Sequence, residues 1–262
     1  EDELSLGALV TTHKINLLEA ARDLFDELDP YARTCSEVSS ISKDGGRLQG
    51  HAVDPITSGL SLDSLLAPGY FGRTGAEVLC LGAGGSTTAI ALHFMRKPDP
   101  ADRPRRIAVV NRSPGRLEKL ERMVRAENSG IAFEYPCQDD PARNDALMAT
   151  LAPHSLVINA TGMGKDLPGS PITGAGLFSE CGVAWELNYR GELEFLHQAL
   201  AQRESRRLTV EDGWVYFLHG WTQVISHVFK VEITACVFER LSAIAAGVSS
   251  PALPPRTGCL AL

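Results

Sequence analysis

The sequence predicts an α/β fold, in which a parallel sheet carries helices on both faces and a smaller α/β unit stands beside it. Between residues 77 and 201, short apolar runs alternate with amphipathic stretches. This alternation is typical of strand–helix–strand units with parallel strands. One apolar run, within residues 78–89, ends in a glycine-rich turn that opens a predicted helix. Before residue 69 the pattern differs and includes a hairpin, which predicts a separate unit.

The first 68 residues are expected to form this smaller, substrate-binding unit. The second element has apolar positions at helical spacing and should end before Asp29-Pro30. The third is a hairpin with a glycine-containing turn at 43–46. In chain order we expect a strand, a helix, the two hairpin strands and a short helix, over 9–11, 15–28, 38–42, 47–51 and about 57–66.

The larger unit is expected to span residues 69–212. Its strands are predicted over 77–82, 106–111, 131–135, 155–159 and 183–187, and its helices over 86–96, 114–126, 142–150 and 192–201. Residues 213–245 are apolar and aromatic with a helical pattern, and the segment 213–248 is predicted to complete the smaller unit. We expect an irregular tail over 249–262. A cleft between two such units is a usual place for a substrate.

The glycine-rich turn is the strongest functional signal. In this kind of turn, backbone N–H groups and the positive end of a helix face a pyrophosphate. Gly82 permits the tight turn, and Gly84 lets phosphates approach the backbone. The predicted phosphate-binding residues are Gly82, Ala83, Gly84, Gly85 and Ser86. The alternative is a glycine turn that is needed only for steric reasons. The sequence that follows the turn distinguishes the two interpretations.

That context is a second apolar run, about 28 residues on, at the place where a dinucleotide fold recognises the adenosine ribose. The run ends in Asn111-Arg112-Ser113, and Arg116 follows one helical turn later. An NAD site usually carries Asp or Glu there, whereas two guanidinium groups suit a 2′-phosphate. The alternative is that both arginines belong to a solvated helix face. The sequence therefore predicts that 69–212 is a Rossmann-type domain that binds NADP.

Composition excludes several classes of protein. The chain has 262 residues, 44% of them hydrophobic, and a formal net charge of -7, which argues against a general nucleic-acid or anionic-membrane surface. No apolar run reaches the roughly 18 residues that span a bilayer. The six cysteines lack C-x-x-C spacing, and no metal-ligand cluster stands out, so we predict no metal site.

These features suggest a cytoplasmic protein with reduced cysteines, because no secretory signal is visible. We expect a small-molecule substrate, neither a nucleic-acid nor a membrane partner, and a monomer or a homodimer. The chain begins at Glu1 rather than at Met, so we also expect further residues upstream of it.

Six motifs occur in the order and at the spacing typical of one enzyme family. They are VTTHK at 10–14, GHAVD at 50–54, GAGG at 82–85 followed by NRS at 111–113, VINATGMG at 157–164, ELNY at 186–189 and DGWVYFLH at 212–219. Together they resemble the shikimate dehydrogenase family over most of the chain. The resemblance implies an NADP-dependent dehydrogenase of a ring alcohol, with shikimate or quinate as the first candidate substrates.

The resemblance also implies roles for single residues. It places the catalytic pair at Lys14 and Asp54. It implies that the substrate is contacted by Thr11, Ser39 and Tyr189. It adds Asn159 and Thr161, near the nicotinamide half, and Gly213, at the start of a later helix, to the cofactor-binding residues.

A lysine beside an aspartate suits this chemistry. Alcohol oxidation needs a group that takes the hydroxyl proton, and the reverse reaction needs a donor to the forming alkoxide. Lys14 is expected to be this acid and base, while Asp54 orients it and raises its pKa. The alternatives are an exposed lysine at a helix start, which the helix dipole disfavours, and an aspartate that caps a turn before Pro55.

Departures from the family pattern lie mainly in the substrate pocket. The loop at Thr12 is one residue shorter than in the family, and Ser39, Ala52, Pro55 and Gly220 replace the residues expected at their positions. The cofactor chemistry is therefore expected to be retained while the pocket is remodelled. A Rossmann reductase for an unrelated carbonyl and a non-catalytic metabolite- or NADP-sensing protein remain the alternatives.

Overall fold

The computed structural model describes residues 4–248 and contains two sheets. The first sheet belongs to the N-terminal part of the chain. Its elements are β1 (Gly7–Leu9), α1 (Lys14–Ala21), β2 (Glu27–Leu28), α2 (Pro30–Cys35), β3 (Ser40–Asp44), β4 (Arg47–His51), α3 (Asp54–Leu65) and α4 (Tyr70–Thr74). The strand order is β1-β3-β4-β2, with antiparallel pairs except for β2 and β4.

The second sheet is parallel throughout and has the order β10-β9-β8-β5-β6-β7. Its elements are β5 (Val78–Leu81), α5 (Gly85–Arg96), β6 (Arg106–Val110), α6 (Pro114–Glu127), β7 (Ala132–Glu134), α7 (Pro141–Met148), β8 (Leu156–Asn159), β9 (Val183–Glu186), α8 (Glu194–Arg206) and β10 (Thr209–Glu211). Two further helices follow, α9 (Trp214–Phe229) and α10 (Ala235–Val248).

Both faces of the parallel sheet are covered, as the apolar strands require. On β5, Val78 and Cys80 pack into a cluster with α3, α5 and α6, whereas Leu79 and Leu81 pack into a second cluster with α7 and α8. A third cluster, built around Leu18, lies under the first sheet. This arrangement confirms the predicted α/β class with a Rossmann-type sheet and a smaller α/β unit. Helix α9 contacts α3, β1 and β3 and so returns to the first sheet.

The helix expected over 15–28 is wrong in its second half. Helix α1 ends at Ala21, a 3-10 turn follows, and β2 then pairs with β4. Backbone N–H groups of Asp26 and Asp29 donate to the carbonyls of Leu48 and Gly50, both at 2.9 Å. Residues 27–28 have a helical local pattern but pair with the edge of β4, because this tertiary pairing outweighs helix propensity.

Smaller corrections concern element boundaries. The first strand ends at Leu9 instead of spanning 9–11, and the stretch 213–245 is divided between two helices. Helices α2 and α4 and strand β10 were not predicted; β10 pairs with the edge of β9. The predicted tail over 249–262 lies outside the described residues. The domain limits at 68 and 212 stay a prediction.

Candidate active site

A cavity of ≈ 790 Å³ lies between the two sheets, at the carboxyl edge of the parallel strands. Open α/β sheets bind their ligands at this edge. Four segments form its walls: the loop 11–16 that enters α1, the link 34–37 between α2 and β3, the glycine turn 83–86, and one face of α6. Asp54, the first residue of α3, also lines it.

Lys14 and Asp54 meet in this cavity although they are 40 positions apart in the chain. Lys14 Nζ donates to both oxygens of Asp54, at 2.7 and 2.6 Å. His13 adopts a left-handed conformation that turns the chain into α1, and the first turn of α3 holds Asp54. The carboxylate offsets the unfavourable position of a lysine at a helix start. The Lys14 side chain is 21% exposed and ion-paired, and the N-cap of α3 is Val53, so neither the exposed lysine nor the capping aspartate describes the structure.

The charges around Lys14 raise its pKa. Burial acts in the opposite direction and is the largest single influence, but the charges of Asp54 and Glu37 and the hydrogen bond to Asp54 together outweigh it. Lys14 therefore carries its proton at neutral pH. In this state the ammonium can donate a proton to an oxygen of a ligand in the cavity.

Glu37 is a site residue that the sequence reasoning missed. It is 1% exposed, lines the cavity, and its Oε1 has no hydrogen-bond partner among the described residues. Burial, with a further contribution from the Asp54 charge, raises its pKa to about 7. The only local signal was an acidic residue directly before a run of buried strand residues, and such residues are more often exposed.

The glycine turn is shaped for an anion. Gly82 has φ +108°, and a Cβ there would lie 2.7 Å from the carbonyl oxygen of Ala160, so only glycine fits. A Cβ on Gly84 would meet open space, and Gly84 is the N-cap of α5, with no side-chain cap bond. The first N–H groups of α5 thus face the cavity side with no competing cap. Ala83, Gly84, Gly85 and Ser86 line the cavity and Gly82 does not, and their contact with a phosphate stays a prediction.

The segment after β6 contributes positive charge. Arg116 lines the cavity together with Lys119 and Arg122, two residues that were not predicted. Arg112 is exposed and does not appear among the cavity-lining residues. Ser113 precedes α6 as its N-cap without a side-chain cap bond. This wall of α6 suits an anionic ligand group.

Asn111 carries an open donor beside that wall. Its Oδ1 accepts from the Arg112 backbone N–H at 3.0 Å, while its buried Nδ2 has no partner within residues 4–248. A buried polar atom without a partner is costly, and a bound group commonly completes it. Asn111 does not itself line the cavity, so the open donor and Arg116 would suit the phosphate of a phosphorylated ribose only as a prediction.

Asn159 and Thr161 belong to a buried network rather than to the cavity wall. Asn159 Oδ1 accepts from Thr161 Oγ1 at 2.6 Å, and its Nδ2 donates to Glu186 Oε2 at 2.6 Å. Asn188 donates its N–H and Nδ2 to Glu186 Oε1, at 2.8 and 2.7 Å. Burial raises the pKa of Glu186 to about 7 in spite of these donors. The network ties the ends of β8 and β9 beside the glycine turn.

The structure separates the three predicted substrate residues. Thr11 is exposed and lines the cavity. Ser39 is buried outside the wall, and its Oγ accepts from the N–H of Val53 at 2.7 Å, so it supports the residue before Asp54. Tyr189 stacks on Phe217 with ring centroids 4.2 Å apart and does not line the cavity.

Gly213 occupies a position that only glycine tolerates. A Cβ there would lie 2.1 Å from the carbonyl oxygen of Leu187. Its place at the start of α9 therefore has a steric explanation, and its cofactor contact stays a prediction. Among the described residues, no helix is long and apolar enough to cross a membrane, and no group of acidic, histidine and cysteine side chains could hold a metal ion.

Comparison with known proteins gives a consistent result. No family model matches the chain. The chain is 31% identical over 218 residues to the shikimate dehydrogenase (NADP(+)) of Symbiobacterium thermophilum, covering 82% of this chain and 68% of that protein. It is 32% identical over 202 residues to the shikimate dehydrogenase (NADP(+)) of Salinibacter ruber, covering 75% and 65%. It thus spans about two thirds of the length of these relatives.

A solved structure supports the fold. The quinate dehydrogenase of Corynebacterium glutamicum in complex with NAD superposes with a TM-score of 0.67 at 19% identity, covering 91% of this chain and 77% of that one.

Proposed function

Because this chain belongs to the shikimate dehydrogenase family, we propose that it is an NADP-dependent oxidoreductase that interconverts a ring alcohol and a ketone on a small cyclic hydroxy acid. The observation that carries the proposal is the Lys14–Asp54 ion pair, which lies in one cavity with the uncapped start of α5. An acid–base pair and an anion-binding helix end therefore share the same space.

The cofactor site is formed by residues from two places. The N–H groups at Gly84, Gly85 and Ser86 would hold the pyrophosphate, and Asn111 Nδ2 and Arg116 would hold the ribose 2′-phosphate. When bound, the cofactor would supply the hydride chemistry, with NADP+ as acceptor from the alcohol carbon and NADPH as donor to the ketone carbon. Asn159 and Thr161 position the strand end beside the glycine turn.

Lys14 moves the proton. In ketone reduction, its Nζ donates a proton to the carbonyl oxygen of the substrate. In alcohol oxidation, the deprotonated Nζ accepts the hydroxyl proton. Asp54 keeps Nζ in place through its two hydrogen bonds and stabilises the ammonium form. Thr11 lies on the same wall and would bind a hydroxyl group of the substrate.

The raised pKa of Lys14 predicts how the rates depend on pH. The ammonium form, which serves ketone reduction, persists from neutral into alkaline pH. The amine form, which serves alcohol oxidation, becomes more abundant as pH rises, so the oxidation rate should increase by up to about tenfold per pH unit. We would measure kcat in both directions from pH 7 to pH 10.

The dependence of the oxidation rate on pH would be compared between the wild type and Asp54→Asn. Removing the carboxylate removes the charge that raises the Lys14 pKa, so the rise of the oxidation rate should move to lower pH even though kcat falls. An oxidation rate that does not change with pH, or an unshifted profile in Asp54→Asn, would contradict the role of the pair.

The α6 wall predicts a change in cofactor preference on Arg116→Ala. Loss of one charge-assisted contact should raise the Kd for NADP+ by about tenfold and change that for NAD+ by less than about twofold. Arg125→Ala is the control. Arg125 lies on the same helix but does not line the cavity, and its guanidinium pairs with Glu121 at 2.6 Å. If the Kd values for NADP+ and NAD+ rose equally, Arg116 would not recognise the 2′-phosphate.

The proposed function is tested by nicotinamide absorbance. Purified protein would be offered NADP+ or NAD+ with shikimate, quinate and related cyclitols at mildly alkaline pH. Reduction of NADP+ with one of them supports the proposal. Cofactor binding with no turnover on any cyclic alcohol would favour a sensing protein, and lack of NADP+ binding would refute the proposal.

A further inference from the structure

Glu37 lies between the catalytic pair and the start of α5. It follows α2 and precedes β3, and this link places the carboxyl against the glycine turn. A Cβ on Gly85, the first residue of α5, would lie 2.7 Å from Glu37 Oε2. The side chain is 1% exposed, and Oε1 makes no hydrogen bond. A buried carboxyl is thus held at an anion-binding helix end with an open oxygen.

Such a carboxyl is unusual for a purely structural residue. Buried carboxylates are normally paired or accept several hydrogen bonds. No ion pair is found for Glu37 among the described residues, although Lys14 lies in the same cavity and pairs with Asp54 instead. The open oxygen is therefore best explained by a ligand or a proton that completes it.

We propose that Glu37 couples cofactor binding to proton uptake: its carboxyl takes up one proton from solvent when a phosphate-bearing nucleotide occupies the start of α5. The reason is electrostatic, since an ionised carboxylate and a phosphate held side by side in a buried place repel each other. Protonation removes the negative charge and turns the carboxyl into a hydrogen-bond donor. The inference rests on the proposed function, because it takes NADP as the ligand.

The groups around Glu37 hold the pKa of its carboxyl near neutral pH. Burial and the Asp54 charge raise its pKa to about 7, while the positive charges of Lys14 and Lys119 act in the opposite direction. The titratable and charged groups that interact with it come from α1, α2, α3, α6 and α9, and they are Lys14, Cys35, Asp54, Lys119 and Tyr216. Burial raises the pKa of both Cys35 and Tyr216, so neither is ionised near neutral pH.

The sign of the pH effect follows. Below pH 7 the carboxyl already holds its proton, and binding takes up little. Above pH 7 the free protein has an ionised Glu37 and must bind a proton with the nucleotide. The Kd for NADP+ should therefore rise by up to about tenfold per pH unit between pH 7 and 8.5. The 2′-phosphate does not contribute in this range, since a phosphate monoester loses its second proton near about pH 6.

Titration calorimetry of NADP+ tests the inference. Binding would be measured at pH 8 in two buffers that differ in ionisation enthalpy, which gives the number of protons taken up, and the Kd would be followed from pH 7 to 8.5. For the wild type we expect uptake that approaches one proton. Glu37→Gln and Glu37→Ala should show none, with a pH-independent Kd up to about 30-fold lower than that of the wild type at pH 8.5.

Two controls separate the possible causes. Glu19→Gln removes an exposed carboxylate on α1 and should behave as wild type. NAD+, which lacks the 2′-phosphate, should show the same uptake if the pyrophosphate is the partner of Glu37. Wild-type binding without proton uptake, or uptake that persists in Glu37→Gln, would overturn the inference and leave the proposed function intact. Absence of NADP+ binding by the wild type would overturn both.

Discussion

Replacement of Lys14 by alanine is expected to lower kcat by about 10³-fold, the usual range for loss of a general acid–base. The two hydrogen bonds between Nζ and Asp54 hold the ammonium at the cavity wall. Of the other cationic side chains that line the cavity, Lys119 and Arg122 belong to the α6 wall, on another element. Turnover would be measured by nicotinamide absorbance and NADP+ binding by calorimetry.

The same variant should bind NADP+ almost as well as the wild type, since the glycine turn and α6 are unchanged. Lys97→Ala is the control, because Lys97 carries the same charge but pairs with Asp63 outside the cavity. Its kcat should stay within about twofold of the wild-type value. Turnover that survives in Lys14→Ala would refute its role in proton transfer. Loss of NADP+ binding would show that Lys14 has a structural or cofactor role instead.

Glu186→Ala is expected to lower the free energy of unfolding by about 3 kcal/mol or more near pH 4.5. Glu186 is fully buried and accepts three hydrogen bonds from Asn159 and Asn188, so the alanine would leave buried donors without an acceptor. Urea denaturation followed by the fluorescence of Trp185, its buried neighbour in β9, gives the difference. Glu180→Ala is the control, because exposed Glu180 pairs only at the surface with Arg207.

The pH dependence of this difference has a defined sign. Burial raises the folded-state pKa of Glu186 to about 7, so its protonated form stabilises the fold fully below pH 4.5, and this contribution is lost as pH rises through 7. The gap between wild type and Glu186→Ala should therefore shrink by up to about 3 kcal/mol from pH 4.5 to pH 8. Glu37 titrates in both proteins and cancels. A gap below about 0.5 kcal/mol at every pH would contradict the role of the network.

Much of the fold was readable because its signals are local. Alternating apolar runs predicted the parallel sheet, and the strand β5 with its glycine turn lies where the sequence indicated. The pairing of Lys14 with Asp54 is not a local signal, and it was expected only from the resemblance to a family; the two side chains do meet in the structure. The prediction of a helix over 15–28 was wrong in its second half, because residues 27–28 pair with β4, more than 20 residues later in the chain.

The sequence by itself determined the α/β class and the position of the glycine turn at Gly82–Ser86, because both follow from local patterns. The pairing of Lys14 with Asp54 was implied by the resemblance to a family, and the contact between them was decided by the tertiary structure. Only the tertiary structure decided that Glu37 is buried with an open oxygen, that Ser39 supports Val53 instead of lining the cavity, and that Asn159 is held by Glu186. The reason is physical: burial and pairing depend on which elements pack together, and the residues that meet there are far apart in the chain.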